Sequence, residues 1–568
     1  MENDRGLSRS DFLAVGVAAL LVVAFAIWLI SPRFSISGPS LVDDWSNLDN
    51  APRALHDLVR FSYDPAEVHD TRRYRPSYTA VWNSLQWHTF GAPGDMTGPN
   101  FWAIVRVALL VGGLVLLTAC GLSISARRRL PPWELAAWSA VPALMLLVTP
   151  TLTRELARQG PSEPLMLGGM ALGAVLAVFG LKRLLVEAGE GKRRVSAIAT
   201  IVAGCVFWLF GVYQKEASIC ALALLIPLYI VLGRRWRAQG IIDQPLHRYW
   251  PVRIVAFALV LPLLHMLYEI SAVTKGGETV YGASVPSGSG WVTRLWDSAK
   301  LQWHPDALLG TSLWAYLAAA VPLLLIAWIV RYRRIPWLAL GVITTTVALY
   351  LFQGLAGVAV PRYFVPVVPL VAVAIVLLLA DAPRALRLIA LVGVVVFVAQ
   401  NVDSRHLVRL WADYQDSRLV GVRDIARLDP SRCRVYMASF HAEDADAFPE
   451  LVARQPRPAN PVCDPRYEGY MLEERQEQLE PVTNEAINYA CAGRGWQPVK
   501  ITTVIGFYRC RRFGRGYIGT QQIGDVLRWD RFIPGQRLSD RVHSLPDNAL
   551  CDSPQCMPLL KELRDTYR

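Results

Sequence analysis

The hydrophobic pattern divides the chain into a long part built of apolar runs and a shorter C-terminal part that lacks them. A helix of about 20 apolar residues, at about 1.5 Å per residue, crosses the hydrocarbon core of a bilayer. The pattern therefore predicts an all-α polytopic membrane domain over residues 1–402, with about eleven transmembrane helices. The predicted spans are 11–30, 101–124, 133–150, 164–181, 196–213, 217–233, 252–269, 312–330, 336–352, 364–380 and 387–402.

The polar connections between these runs alternate in charge. Arg5 and Arg9 precede the first run, and every even-numbered run ends in basic residues: 127–129, 182–183 with 192–194, 234–237, 331–334, and Arg384 with Arg387. Short loops rich in Lys and Arg stay in the cytoplasm. The pattern therefore predicts a multi-pass protein with a cytoplasmic N-terminus. We interpret the first run as a retained helix, because Pro32 follows it where a signal peptide would have a small-residue cleavage site.

Residues 403–568 are predicted to form a separate domain outside the membrane. Apolar runs there have strand length, such as 501–505, and helix-like stretches such as 414–427 lie between them, so we expect a mixed α/β fold. This part holds six cysteines, an even number, in a compartment that we expect to be oxidising. We therefore predict disulfides in preference to a zinc site, because the cysteines and histidines lack the spacing of zinc ligands. The six cysteines are Cys433, Cys463, Cys491, Cys510, Cys551 and Cys556, the last two suited to a local bridge.

Composition narrows the class of protein further. The chain is 53% hydrophobic and only 18% charged, which is too apolar for an ordinary soluble enzyme. Its net charge of +12 arises from short clusters between apolar runs. Such clusters are typical of membrane topology, so we expect membrane lipids and no nucleic acid as partners. The high Arg and Ala content favours the cytoplasmic membrane of a GC-rich bacterium.

The unusual polar residues fall on the predicted outer side. The first outer loop, 31–100, carries Asp43 and Asp44 directly after the first helix. Ionisable groups at a membrane boundary are functional candidates, although a solvated loop would also tolerate them. Cations at the outer helix ends are Arg154, Arg158, Lys215 and Arg362.

The sidedness restricts the chemistry. No ATP or nucleotide sugar is available outside the cytoplasmic membrane, so a transferase there needs a donor that arrives through the bilayer. A polyprenyl-phosphate sugar meets that need. Transfer to a hydroxyl requires a carboxylate to accept its proton and cations to stabilise the departing phosphate. Asp43 and Asp44 suit the first role, and the four outer cations suit the second.

Short motifs in the same order resemble the GT-C superfamily of polytopic glycosyltransferases. Tyr74-Arg75-Pro76-Ser77, followed by Phe90-Gly91, is similar to the "YRP…fG" stretch of the mannosyltransferase-like branch. Lys215-Glu216 is similar to its "KE", and Pro361-Arg362-Tyr363-Phe364 with Pro369 to its "RY…P". The superfamily also includes aminoarabinose transferases and mycobacterial arabinofuranosyltransferases.

The resemblance implies roles for individual residues. The acidic pair of the family is Asp-Glu, so Asp43 aligns with its first member and is the favoured base, and Asp44 would orient the acceptor or a metal. Contacts to sugar or acceptor are expected from Trp45, Tyr74, Arg75, Glu155, Glu163 and Glu216. The implied function is transfer of arabinofuranose or mannose to an envelope glycan, glycolipid or protein. We assign no metal ligand, but a divalent cation stays open because some GT-C enzymes use one.

Structural interpretations of the same residues remain alternatives. Arg154, Glu155 and Arg158 have the spacing to pair among themselves on a solvated helix end. Lys215 and Glu216 have the spacing for a local ion pair at their turn. Arg362 would also serve as a snorkelling anchor. Outer aromatic side chains such as Trp45 and Trp82 suit either sugar stacking or an interfacial belt.

Other functions also fit the topology. A glycan ligase or polymerase that uses a pyrophosphate-linked donor is the nearest alternative enzyme. A lipid-linked glycan transporter is a different class, disfavoured because the helix number is odd and no repeat is visible. A scaffold for envelope assembly would depend on the C-terminal domain alone.

Topology gives the first testable prediction. Because six basic segments lie on one side, cysteine labelling should reach residues 45–95 and 410–568 from outside and residues 126–131 and 331–334 only from inside. A reporter fused at position 450 that is active only in the cytoplasm would contradict the topology and the outer site together.

Overall fold

A computed structural model describes the eleven apolar runs as helices. The residues that it describes are 8–36, 75, 77–82, 85, 97–127, 129–158, 162–186, 191–274, 313–355, 361–406, 408–409, 412 and five strands between 434 and 526.

Helices account for nearly all of the described residues up to 406. We number them α1 Arg9–Ile30, α2 Thr97–Ser125, α3 Pro132–Leu147, α4 Pro150–Ala157, α5 Glu163–Val186, α6 Gly191–Val212, α7 Leu222–Ala238, α8 Trp250–Thr274, α9 Leu313–Tyr332, α10 Trp337–Leu355, α11 Phe364–Leu379 and α12 Arg384–Asn401. Short 3₁₀ helices cover Ser31–Ser35, Glu216–Ala221, Leu246–Arg248 and Pro361–Tyr363, and a π-helical turn covers Ser77–Trp82.

Several of these helices are long and apolar enough to cross a membrane. Among the described residues seven meet that condition alone, and an eighth span results if α3 and α4, bent by 82°, are counted together. The apolar segments of α9, α10 and α11 are shorter. The protein is therefore a helical, multi-pass membrane protein by composition and length.

Contacts between the ends of distant helices define two ends of the bundle. At one end the C-terminal side of α1 meets the α12 exit, where Arg405 donates to the carbonyl of Trp28. At the opposite end Arg129 pairs with Asp11 near the start of α1, 2.8 Å apart. We call the first the cluster end, for the charged residues described below, and the second the arginine end. The basic exits of α2, α5 and α7 lie around the same cavity as Asp11, and Arg127 lies over the ring of Tyr332 at the end of α9, so all four exits belong to the arginine end.

At the arginine end, a buried carboxylate of α3 binds two arginines of α12. Glu134, fully buried at the start of α3, accepts hydrogen bonds of 2.9 Å from Arg384 and 2.8 Å from Arg387. Arg387 also donates to the carbonyl oxygens of Ala380 and Ala382 at the end of α11. Charge-assisted bonds of this kind are stronger than neutral ones. They tie α12, which is otherwise largely exposed, to the rest of the bundle.

Glycines allow α5 to pack closely against α6. An added Cβ at Gly173 would lie 2.5 Å from the backbone nitrogen of Trp208, and one at Gly204 would lie 2.6 Å from the backbone nitrogen of Ala177. Without a hydrophobic effect between helices in lipid, close backbone approach at small residues is a main source of helix association. The tight α5–α6 pair positions Glu163 near residues 213–216, because both lie at the cluster end.

The centre of the bundle is formed by α11, and a sharp break ends α3 beside it. α11 is buried on all sides and packs on α3, α9 and α10. At the break, the Thr149 hydroxyl donates to the Met145 carbonyl at 2.8 Å and accepts from the indole of Trp314 at 3.0 Å. The chain bends by 82° at this break, and α4 is buried against the bundle, with no exposed surface on Glu155 or Leu156.

The C-terminal region contains one mixed sheet in its described residues. β1 Arg434–Ser439, β2 Tyr470–Met471, β3 Thr502–Arg509, β4 Gly514–Gln522 and β5 Asp525–Val526 are ordered β2-β1-β3-β4-β5. β1 is parallel to β2 and β3, whereas β3–β4 and β4–β5 are antiparallel. The predicted helices between the strands and the six C-terminal cysteines lie outside the described residues, so the α/β domain and its disulfides stay predictions. The three cysteines in the apolar runs are free thiols.

The glycine interface predicts a position-specific loss of stability. Gly173→Ala and Gly204→Ala should each lower the unfolding midpoint in detergent, because overpacking costs about 1–3 kcal/mol and the clashing atoms are backbone. Gly112→Ala is the matched control, since an added Cβ there meets nothing within 4 Å. Unfolding midpoints of Gly173→Ala and Gly204→Ala equal to that of Gly112→Ala would contradict this packing.

Candidate functional site

Two of the predicted motifs meet in a buried ion pair at the cluster end. Nε of Arg75 lies 2.8 Å from Oε1 of Glu216, and its Nη2 lies 2.9 Å from Oε2. The pair joins residues 141 positions apart in sequence, and the Arg75 side chain is only 7% exposed. A two-bond arginine–carboxylate contact fixes both orientation and distance. It therefore holds the π-helical turn of the first loop against the start of the 3₁₀ helix that leads into α7.

Lys215 joins the same site to α5 and to the third motif. Its Nζ lies 3.0 Å from a carboxylate oxygen of Glu163 and 4.8 Å from the ring centroid of Tyr363. Lys215 is 5% exposed and Glu163 is 2% exposed. The adjacent Lys215 and Glu216 thus each contact a partner that is distant in sequence, Glu163 and Arg75 respectively, while the charge of Lys215 also acts on the Glu216 carboxylate. An extended backbone at Lys215 directs the two side chains to different neighbours.

Arg362 contributes a third positive charge. Its guanidinium lies 5.4 Å from the ring centroid of Tyr363, and its charge acts on the carboxylate of Glu163. The Tyr363 carbonyl accepts a 2.6 Å hydrogen bond from Nε2 of the buried Gln353. This bond connects the end of α10 to the 3₁₀ turn at Pro361–Tyr363 and so holds the turn in place.

We call Arg75, Glu163, Lys215, Glu216 and Arg362 the charge cluster. Glu163 and Glu216 each begin a helix, where the backbone dipole stabilises negative charge. Charges buried in a low-dielectric site are strongly destabilising unless each has a partner. The three cations and two carboxylates are joined by the Arg75–Glu216 and Lys215–Glu163 pairs and by the effect of the Arg362 charge on Glu163. The named members therefore carry a net positive charge, which is suited chemically to an anion.

The neighbouring helix α4 is held by two further buried arginines. Arg33 donates to the carbonyl of Ala157, and Arg106 donates to the carbonyl of Leu156 at 2.7 Å. Both arginines have no exposed surface, and they satisfy carbonyls that a helix C-terminus leaves without partners. α4 packs directly against the 3₁₀ turn that carries Arg362. Its position is thus fixed relative to the charge cluster.

Arg158 and Glu155 form an ion pair at the end of α4, 3.0 Å apart. The sequence suggested a solvated helix end as one alternative. The pairing is present, but Glu155 is fully buried and Arg158 is 6% exposed, so the end is not solvated. It is buried because the break after α3 turns this segment inward.

Gln214 is a site residue that the sequence did not single out. It precedes Lys215 and is fully buried, yet neither of its side-chain polar atoms has a hydrogen-bond partner among the residues that the structure describes. A buried amide without partners is costly. The one signal in the sequence was its place next to the Lys-Glu motif.

Trp82 is buried and is therefore not available for the sugar stacking considered from the sequence. Its side chain is 3% exposed and packs edge-to-face on Trp102, with ring centroids 5.2 Å apart. Tyr78 and Leu165 complete this small core. Trp82 therefore anchors the first loop to α2 and α5 and presents no open face for a sugar.

Other predicted site residues lie outside the described part of the chain. These are Asp43, Asp44, Trp45 and Tyr74, and for Arg154 only the backbone is described. Their roles stay predictions. Within the described residues no group of three or more His, Cys, Asp or Glu side chains is arranged to hold a metal ion.

No protein-family model matches the chain, and no curated protein matches it.

The Lys215–Glu163 contact predicts that substitutions of these two residues have coupled effects on stability. Lys215→Met should lower the thermal midpoint in detergent, since removing one partner of a buried pair costs about 3–5 kcal/mol. The double variant Lys215→Met/Glu163→Gln should recover part of that loss because no unpaired charge is then created. Lys192→Met, at an exposed position of α6, is the control. Strictly additive single effects would contradict a direct pair.

Proposed function

We propose that the chain is a GT-C-type glycosyltransferase that uses a polyprenyl-phosphate sugar on the outer face of a bacterial cytoplasmic membrane. Arabinofuranose and mannose are the sugars considered first. The acceptor would be a glycan, glycolipid or protein of the cell envelope. In this proposal the chain has eleven spans, and the cluster end faces outward.

The observation that carries the proposal is the convergence of three separate motifs on one buried site. Arg75 comes from the first loop, Lys215 and Glu216 from the turn after α6, and Arg362 from the turn before α11. Charged residues buried among membrane helices are expensive, so they are expected where a substrate or ion needs them. Their arrangement around a net positive charge supports binding of a phosphate group.

The reaction would proceed by direct displacement at the anomeric carbon. The acceptor hydroxyl attacks that carbon while Asp43 accepts the hydroxyl proton. The bond between the anomeric carbon and the phosphate oxygen breaks, and the phosphate keeps the electron pair. Configuration is inverted because the nucleophile and the leaving group lie on opposite faces of the sugar.

Lys215 and Arg362 would stabilise the negative charge that develops on the phosphate. Their carboxylate partners hold them in place before substrate binds: Glu163 lies against Lys215, and its charge also acts on Arg362. Such preorganisation lowers the energy needed to rearrange the site during the reaction. Gln214 would orient a polar group of the donor, because its amide is buried beside Lys215.

The remaining assignments follow from the helix directions. The chain leaves α12 at the cluster end, so residues 403–568 begin on the same side as the charge cluster. We propose that they form the extracytoplasmic α/β domain and orient the acceptor. Arg154, Arg158 and Glu155 would complete the donor and acceptor surroundings around α4.

Substitutions of the acidic pair test this proposal. Asp43→Asn or Asp44→Asn should reduce sugar transfer by at least about 10²-fold, since a general base contributes about 10²–10⁴-fold. Arg362→Ala should instead weaken donor binding by removing a charge-assisted contact. Proteoliposomes supplied with polyprenyl-phosphate arabinofuranose or mannose provide the assay, and Asp49→Asn in the same loop is the control.

Two results would redirect the assignment. Near-normal transfer by both aspartate variants would move the base to Glu155, Glu163 or Glu216. Transfer observed only with a pyrophosphate-linked donor would favour a ligase or polymerase.

A further inference from the structure

A cavity at the arginine end combines apolar walls with a basic mouth. It has a volume of about 510 Å³, within the usual range of about 300–1,000 Å³ for ligand pockets, and lies between α1, α2, α5 and α7. It is at the end of the bundle opposite the charge cluster, so it is separate from the site proposed for glycosyl transfer.

The apolar wall extends about one leaflet deep. The lining residues run from 116 in α2 to 126, one residue beyond its end, and from 175 to 186 in α5. At about 1.5 Å per residue each stretch covers about 15 Å. That is half of a hydrocarbon core of about 30 Å, the depth of one acyl chain.

The side of the cavity opens onto surface that faces lipid. Phe12 of α1 and Phe179 of α5 line it and contact each other edge-to-face, with centroids 5.7 Å apart. Phe12 is 47% exposed, Phe179 is 38% exposed and Val186, also on the lining, is 58% exposed. Exposed apolar side chains on a membrane helix are directed at acyl chains. A ligand therefore has lateral access from the bilayer.

The charge of the cavity lining favours an anionic ligand. Its cations outnumber its single carboxylate, Asp11, which contacts Arg129 at 2.8 Å. The charges of the half-buried Lys182 and Arg235 are close enough to act on each other, so a phosphate between them is attracted to both. The lining cations are Arg127, Arg129, Lys182, Arg183 and Arg235.

We propose that this cavity is a binding site for an anionic phospholipid of the adjacent leaflet. The phosphate of the headgroup lies between Lys182 and Arg235, and one acyl chain lies along α2 and α5. Basic pockets between membrane helices bind anionic headgroups by this combination of charge and apolar contact. Neutral phospholipids lack the net charge that the mouth of the cavity favours.

Lipid retention measured by native mass spectrometry tests the assignment. Wild-type protein exchanged into mixed phosphatidylglycerol and phosphatidylcholine should retain phosphatidylglycerol selectively. Each basic residue near an anionic lipid surface contributes about fivefold in affinity, so Lys182→Gln/Arg235→Gln should weaken retention by at least about tenfold. The control Arg234→Gln/Arg237→Gln removes two positive charges as well, but from exposed positions of α7 that do not line the cavity. It should retain lipid like wild type.

A second variant distinguishes a lipid from a free anion. Ser123→Phe, on the α2 wall, should obstruct the acyl-chain path and reduce phosphatidylglycerol retention while all lining charges remain. The thermal midpoint in phosphatidylcholine alone shows whether each variant is folded.

Three outcomes would overturn the proposal. Equal losses in the lining and control double variants would indicate a general effect of charge. Stabilisation of wild type and Ser123→Phe by inorganic phosphate as strongly as by phosphatidylglycerol would indicate an anion site without a lipid. Retention of phosphatidylglycerol and phosphatidylcholine in equal amounts by wild type would exclude selectivity.

Discussion

Ion pairs buried among apolar helices organise the cluster end of this protein. Arg75 with Glu216, and Lys215 with Glu163, join a loop, a turn and a helix that are distant in sequence. A charge that loses water must gain a partner, or the helices that bury it separate. These contacts therefore restrict how the first loop, α5 and the turn before α7 are arranged.

The same requirement explains the break between α3 and α4. Turning α4 into the bundle buries polar backbone at both of its ends. Thr149 satisfies groups at the break, whereas Arg33 and Arg106 bind the carbonyls at the C-terminal end. Because these groups are satisfied, an irregular segment is tolerated at the edge of the membrane domain.

The two ends of the bundle use charge in different ways. At the cluster end, carboxylates lie against cations in contacts that are mostly buried, and the named charges sum to a net positive value. At the arginine end, basic side chains surround a cavity open to the lipid-facing surface, while Glu134 ties α12 to α3. The close α5–α6 pair connects the two ends, since α5 carries Glu163 at its first residue and Lys182 near its last.

The sequence by itself determined the eleven helices and the alternation of their connections. Runs of apolar residues interrupted by basic clusters leave few other arrangements for a chain in a bilayer. It also predicted that Lys215, Glu216, Arg75 and Arg362 lie on one side of the membrane, and the structure brings these four residues to one end of the bundle. Only the tertiary structure decided which charges pair, because partners such as Arg75 and Glu216 are brought together by helix packing and not by sequence spacing. The glycine contacts of α5 with α6, the inward turn of α4 and the burial of Gln214 depend in the same way on how distant segments meet.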